Sequence, residues 1–248
     1  MFDKINDYRT ISLDEIEAIK LMNRIDTKFI VASETMMRLL DELMDDYMVL
    51  EIASQRFGQY RSMYYDTDDL QMFYAHITGR LPRYKVRKRK YSQNGMQFLE
   101  VKHKKPNCKT LKKRLPLENE IGLNNSFVAD NTPFRTKDLH QKLDSCFNRI
   151  TLVNWERTER LTLDFNLQFH SFDGTVSPLF RHAAIVELKQ DKRVESVIVR
   201  RLKDQNIRPC SVSKYCVGML LLDNRLSYKM YKKNFVKFIN LSSWNYSV

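Results

Sequence analysis

The chain has 248 residues, 43% of them hydrophobic and 29% charged, with 42 Lys and Arg against 30 Asp and Glu for a net charge of +12. This composition excludes a disordered chain, leaves room for a sizeable core and favours anionic partners. No apolar run approaches the roughly 20 residues of a membrane span, the acidic start has no signal-peptide core, and no CxxC pair occurs among the four cysteines, so a reduced, cytoplasmic protein is expected.

"TISLDEIEAIKLM" opens with a Ser12-x-x-Glu15 capping box and predicts a short helix. "RIDTKFIV" predicts a strand and "SETMMRLLDELMDD" an amphipathic helix with Met37, Leu40, Leu43 and Met44 on one face. Two strand-like runs follow, "YMVLEIAS" and "YRSMYYDT", then a helical "DDLQMFYAHI". From Pro82 the period becomes two, and "RYKVRKRKY", "QFLEVKHK" and "KTLKKRLPLE" predict antiparallel strands. "GLNNSFVADNTPFR" predicts a long loop and "TKDLHQKLDSCF" a helix. Strands "ITLVNWERTE", "RLTLDFNLQFH" and "RHAAIVELKQ" come next. Helices "RVESVIVRRLKDQN" and "SKYCVGMLLLDN" and a basic tail helix (226–248) close the chain. With no repeat and no linker, the expectation is one α+β domain over 1–248.

Alternate residues on a strand share a face. Arg83, Lys85, Arg87 and Arg89 therefore point one way, as do Glu100, Lys102 and Lys104, and Arg24, Asp26 and Lys28. Arg160, Thr162, Asp164, Asn166 and Gln168 oppose Leu161, Leu163, Phe165, Leu167 and Phe169. Glu187 and Lys189 alternate with Val186 and Leu188. Two arrangements fit. One is an antiparallel sheet with a solvated face, in which Glu187 and Lys189 form an exposed pair. The other is a barrel of about eight strands with the charges inside. Arginines repeated at i+2 spacing and two Glu-x-Lys strands need a counter-charge between them. That weighs towards a water-filled basic tunnel with carboxylates left over to hold a metal, Val101, Leu163 and Leu188 facing outward, and helices outside and at the C-terminal end. Lys88 and Lys90 then face away from Arg87 and Arg89 into solvent. Tyr60, Tyr64, Tyr65, Tyr84 and Tyr91 are expected to pack in the core. The tail lysines Lys229, Lys232, Lys233 and Lys237 are expected to form a solubility face. Phosphate would be handled without a P-loop, since no GxxxxGK[ST] occurs.

The segments "RIDTKF", "YRSMYYDT", "YKVRKRKY", "FLEVKHK", "RLTLDFNL", "IVELK" and "SKY" occur in this order. Over about Arg24 to Gly218 the chain resembles the VTC domain, the polyphosphate polymerase branch of the CYTH-like triphosphate tunnel metalloenzymes. The resemblance implies an antiparallel barrel tunnel, a divalent metal (Mn²⁺ or Mg²⁺), and substrates among nucleotide triphosphates, inorganic triphosphate and polyphosphate. It implies catalytic roles for Lys28, Arg87, Arg89, Arg160, Lys189 and Lys214, and substrate binding by Arg61, Lys85, Lys102, Lys113 and Arg157. Glu187 would bind the metal, with Glu100 as a second acidic group.

The implied activity is polyphosphate synthesis, in which the γ-phosphoryl group of ATP passes to the chain end and ADP leaves. Hydrolysis of triphosphates in the same tunnel, a non-catalytic polyphosphate sensor and a nucleic-acid-binding module are the alternatives. Nucleic acid is not expected as a partner, because the charged faces hold few aromatics on which bases could stack. Any membrane or regulatory partner would be a separate chain.

Overall fold

The computed structural model describes residues 3–18, 25–106, 110–118, 122–190 and 195–241. Arg24, Cys108 and the end of the expected tail helix (242–248) lie outside the described residues.

After a two-residue strand β1 (Thr10–Ile11), the capping box forms as expected: Ser12 N–H donates to the Glu15 carboxylate at 3.0 Å and Glu15 N–H to Ser12 Oγ at 3.3 Å, starting α1 (Leu13–Ala18). Then come β2 (Ile25–Ala32), α2 (Ser33–Glu42), β3 (Tyr47–Leu50), β4 (Phe57–Asp66) and α3 (Gln71–Ile77). The basic run is β5 (Arg83–Tyr91), followed by β6 (Gln97–Lys104) and β7 (Thr110–Pro116). The remainder is α4 (Asn125–Asn131), β8 (His140–Asn154), β9 (Glu159–Ser171), β10 (Ala183–Gln190), α5 (Val197–Asp204), α6 (Lys214–Leu222) and α7 (Lys232–Leu241).

Two segments depart from expectation. The predicted loop contains α4, started by Asn124, whose side chain accepts from Phe127 N–H at 2.9 Å. The predicted helix over "TKDLHQKLDSCF" is instead a short 3₁₀ turn (Thr136–Asp138) and the first half of the 15-residue β8. Leu139, Leu143 and Phe147 at i+4 spacing imitate a helix face. The strand wins because β4 and β9 pair with it on both sides, which satisfies its backbone without helical bonds.

Eight strands run antiparallel in the order β2-β10-β9-β8-β4-β5-β6-β7, and β3 joins the same sheet on β8 with β1 parallel to it. The sheet curls until all eight contribute to a single cavity. Among the described residues the edge strands β2 and β7 do not pair with each other, so the curl keeps one seam. The outer surface is apolar, as expected. Phe29, Val31, Ile150, Leu161, Leu163, Val186 and Leu188 pack under α2 and α5, and Val86, Leu99 and Val101 under α3 and α4. Lys88 shares that covered face and is buried, not solvated; Lys90 is exposed, and so are Lys229, Lys232 and Lys233. Among the described residues no helix is long and apolar enough to cross a membrane.

A bulge decides where the charged lumen stops. The pairing of β8 with β9 shifts between Cys146 and Asn148, opposite Asn166, which takes φ 51°. Arg160, Thr162 and Asp164 face inward before the bulge. Beyond it the parity flips, and Leu167 and Phe169 turn inward against α6 rather than outward with Leu161 and Leu163. One end of the lumen is therefore floored by α6, α7 and an apolar cluster that includes Ile30, Tyr64, Phe147 and Ile185.

The floor depends on Gly218. A Cβ there would lie 2.5 Å from Leu143 Cδ2 and 2.6 Å from Phe169 Cδ1, both on fully buried side chains. Gly→Ala in a helix interior ordinarily stabilises by roughly 1 kcal/mol. Here Gly218→Ala is expected to destabilise by about 1–3 kcal/mol through overpacking, measured by urea unfolding. A gain in stability would show that the floor can yield.

Candidate functional site

Register sets the site. On one half of the sheet, Lys28 of β2 lies opposite Glu187 of β10, which lies opposite Thr162 of β9 and, beyond it, Thr151 of β8. The next inward row is Asp26, Lys189 and Arg160. On the other half, Arg87 faces Glu100, which faces Arg114, and Lys85 faces Lys102, which faces Lys112. Three lysines in a row repel unless something offsets them.

These rows enclose a cavity of about 390 Å³ lined by eleven basic side chains and two acids, Asp26 and Glu187. The site residues Lys28, Lys85, Arg87, Arg89, Lys102, Arg160, Glu187, Lys189 and Lys214 all line it. Val101, Leu163 and Leu188 lie on the outer surface. The charged faces thus meet across a lumen.

Four expected site residues do not line it: Glu100 lies in the wall behind the lining, and three lie elsewhere. Arg61 alternates with the lining Tyr60 and Tyr64, so it points outward, where it pairs with Asp144 at 2.5 Å. Lys113 shares the outer face of β7 with Leu111 and Leu115, while Lys112 and Arg114 point in. Arg157 sits in the turn after β8 with φ 56° and pairs with Glu15 at 2.9 Å on the surface. Four further charged side chains line the cavity without having been assigned to the site: Asp26, which shares its strand face with Lys28, and Lys112, Arg114 and Arg149. The alternation of Lys112 and Arg114 with Leu111 and Leu115 was a signal for two of them. Arg149-x-Thr151 repeats the Arg160-x-Thr162 pattern, but the helix expected over its approach concealed it.

Three carboxylates are each shared by two cations. Glu100 accepts from Arg87 at 2.6–2.7 Å and also pairs with Lys112. Asp164 takes a fork from Arg149 at 2.5 and 2.7 Å and pairs with Lys214. Glu187 pairs with Lys189 at 2.6 Å and lies 3.7 Å from Lys28. Burial alone would raise the pKa of each. The surrounding cations prevail and hold Glu100, Asp164 and Glu187 below the usual carboxylate range. The lysines shift the other way. Burial, with neighbouring cations, pushes Lys102, Lys112 and Lys214 down to about 8, their paired acids only partly offsetting it. Lys85, which donates to Ser213 Oγ at 2.7 Å, is lowered well below its ordinary value, again mainly by burial.

The five tyrosines pack in or against the core as expected, and some of them also reach the lumen. Tyr60, Tyr64, Tyr91 and Phe98 line the cavity. Arg149 lies 5.0 Å from the Tyr60 ring centre, Arg89 5.8 Å from the same ring and Arg87 5.9 Å from that of Tyr64. Arg89 also donates to Ser62 Oγ at 3.0 Å. Ring faces thus support the arginine forks from behind.

Among the described residues no three His, Cys, Asp or Glu side chains gather as a metal-binding group. Glu100 is turned into the wall by Arg87 and Lys112. Glu187 faces the cavity as an ionised oxygen donor, with Asp26 as the second lining carboxylate. A Mg²⁺-like ion held by one carboxylate plus substrate phosphates fits this donor set; a cage built from protein alone does not.

The family model for the VTC domain matches residues 23–223. No functionally curated protein matches the chain. A Bacillus halodurans protein carrying a provisional adenylate cyclase label superposes with a TM-score of 0.51 at 18% identity, over 78% of this chain and 96% of its own. A Hippeastrum protein with a like adenylyl cyclase label, described as having a dominant triphosphatase activity, gives 0.49 at 14% identity, over 79% and 96%. A Pyrococcus horikoshii protein gives 0.46 at 14%, over 81% and 97%. These are likenesses of fold.

Two outcomes follow from the charge arrangement. Asp164→Asn leaves Arg149 and Lys214 buried without their acid, and is expected to lower the stability of the free protein by about 3 kcal/mol, with added tripolyphosphate restoring most of it in thermal unfolding. Unchanged stability would remove Asp164 as a clamp. The lysines lowered to about 8 titrate near 10.5 when unfolded, so from about pH 7 upward the unfolded chain binds more protons than the folded one. Stability of the ligand-free protein should therefore rise from pH 7 to about 8.5, before the thiols of half-buried Cys146 and Cys210 and of buried Cys216, pushed up mainly by desolvation, begin to oppose it. A flat or falling profile over that window in urea titrations would contradict the lysine shifts.

Proposed function

The chain belongs to the VTC domain family, and from that premise we propose that it is an enzyme that builds polyphosphate, moving the γ-phosphoryl group of ATP to the end of a polyphosphate chain and releasing ADP. The observation that carries this reading is the lumen's charge: eleven basic side chains line it against two acids, Asp26 and Glu187, with only Glu100 and Asp164 added from the wall. A nucleoside triphosphate brings roughly four negative charges. The surplus left over suits a longer polyanion lying in the lumen together with it.

Phosphoryl transfer asks the protein mainly for positioning and charge neutralisation. An oxygen of the chain's terminal phosphate attacks the γ-phosphorus. The bond from that phosphorus to the β,γ-bridging oxygen breaks, and ADP leaves with the electron pair. Arg87, Arg89, Arg149 and Arg160 offer forked donors to the non-bridging oxygens. Lys28, Lys85, Lys102, Lys189 and Lys214 supply point charges around them. Glu187 would hold the divalent ion, Mn²⁺ or Mg²⁺, which when bound neutralises phosphate oxygens as a Lewis acid. The unpaired seam between β2 and β7 offers the chain a way out past Lys102 and Lys112.

Incubating the purified protein with ATP and Mn²⁺ should give polymer and ADP in step, with Arg87→Ala lowering the rate by roughly 10²–10³-fold. Lys112→Gln should shorten the polymer more than it weakens ATP binding. Free phosphate as the sole product would replace this reading with the hydrolase. Tight DNA binding without turnover would replace it with a binding module.

A further inference from the structure

β7 is an edge of the sheet, and among the described residues it pairs with β6 alone. Its sequence, TLKKRLP, holds bases at 112, 113 and 114 and no acid, and every residue of it except Leu115 is exposed. Just beyond it, Leu117 N–H donates to the Gln97 carbonyl at 2.9 Å, which fixes the phase of the pairing. Backbone groups alternate in direction along a strand, so those of Leu111, Lys113 and Leu115 turn to β6, while those of Thr110, Lys112 and Pro116 turn to the outer edge. The proline, which has no N–H to offer, stands on that outer side. The other end of the sheet is met by a segment of the chain itself, since Cys210 N–H donates to the Lys28 carbonyl of β2 at 2.8 Å. Lys112 points into the lumen, whereas Leu111, 44% exposed, and Lys113 lie on the outer face.

An edge with outward backbone groups is a template for one more strand. A second copy of β7 is a poor occupant, because it would set bases against bases, and like charges directly opposite are destabilising. An acidic strand meets the opposite case. We infer that β7 is a docking edge for an extended acidic segment of another protein, added antiparallel, with acids on its lumen-facing side chains and apolar residues on its outward ones. Sheet geometry sets that pattern. A residue directly opposite Lys112 carries its side chain on the same face. An acid there would end the row of Lys85, Lys102 and Lys112, which holds no acid of its own. Residues opposite Leu111 and Leu115 would fall on the outer face, where apolar side chains would cover the exposed Leu111. The inference concerns the edge and holds whichever phosphate compound the lumen takes.

The test uses the full, isotope-labelled chain with an octapeptide that alternates valine and glutamate, and reads amide hydrogen exchange by NMR. At millimolar peptide, exchange at the Lys112 N–H should slow by roughly fivefold or more, the effect of one added backbone hydrogen bond. In an antiparallel pair, the glutamate opposite Lys112 exchanges both hydrogen bonds with it. N-methylation of the glutamates should therefore abolish the protection, whereas N-methylation of the valines, at the same charge, should keep it. Leu111→Glu/Lys113→Glu alters only exposed outer-face side chains, so the variant is expected to fold, and it should bind the unmethylated peptide about tenfold more weakly. Unchanged exchange at Lys112, or equal affinity of the variant, would overturn the docking edge. Protection that survives methylation of the glutamates would overturn it as well, because a peptide held only by its charge needs no strand pairing. None of these results bears on the tunnel reading, which turns on ATP and polymer.

Discussion

Glu100, Asp164 and Glu187 each stand between two cations, and those three shared carboxylates hold together a lumen that would otherwise push itself apart. Glu100 ties β6 to β5 and β7, Asp164 ties β9 to β8 and α6, and Glu187 ties β10 to β2. Every strand in the β2-to-β7 order, except β4 with its tyrosines, is held by one of them. Even so, the lining cations exceed the lining acids by a wide margin. Buried like charges are tolerated when an opposite charge is supplied. The protein supplies enough to fold and leaves the rest to a ligand.

The fold shapes that surplus into a directional site. The bulge at Asn166 ends the charged stretch of β9 and turns Leu167 and Phe169 inward, so α6 can close one end and place Lys214 at the floor. The other end opens among apolar side chains from α1, β3 and the β5–β6 hairpin. Among the described residues β2 and β7 do not pair, and Lys102 of β6 reaches Asp26 of β2 across that seam at 3.9 Å.

Much of this was legible because strand periodicity is simple. Charges at i and i+2 in β2, β5, β6, β9 and β10 identified the inward faces, and nine of the expected site residues do line the cavity. The failures have physical causes. On β7, Lys112, Lys113 and Arg114 are consecutive bases, and only the leucines at 111 and 115 reveal which of them point in. Arg149 was concealed by a false helical period that pairing with β4 and β9 overrides. Arg157 looked like part of a strand, but it sits in a turn with positive φ. The parity change at Asn166 and the burial of Lys88 depend on tertiary packing, and alternation alone cannot show either. Nor does it show which arginines rest on aromatic rings, because the cavity-lining residues of β4, Tyr60 and Tyr64, carry no charge.

The central claim is that the lumen holds back positive charge for a polyanion, and its lysines give a direct measure. Lys112 and Lys214 titrate near 8 in the free protein, so part of their charge is absent at that pH. A bound polyphosphate would restore it by drawing protons from solution. Calorimetric titration with tripolyphosphate at pH 8, in two buffers of different ionisation enthalpy, counts those protons. The account predicts net uptake on binding, shrinking as the pH is lowered towards 6. Binding without proton uptake, or no binding at all, would contradict it.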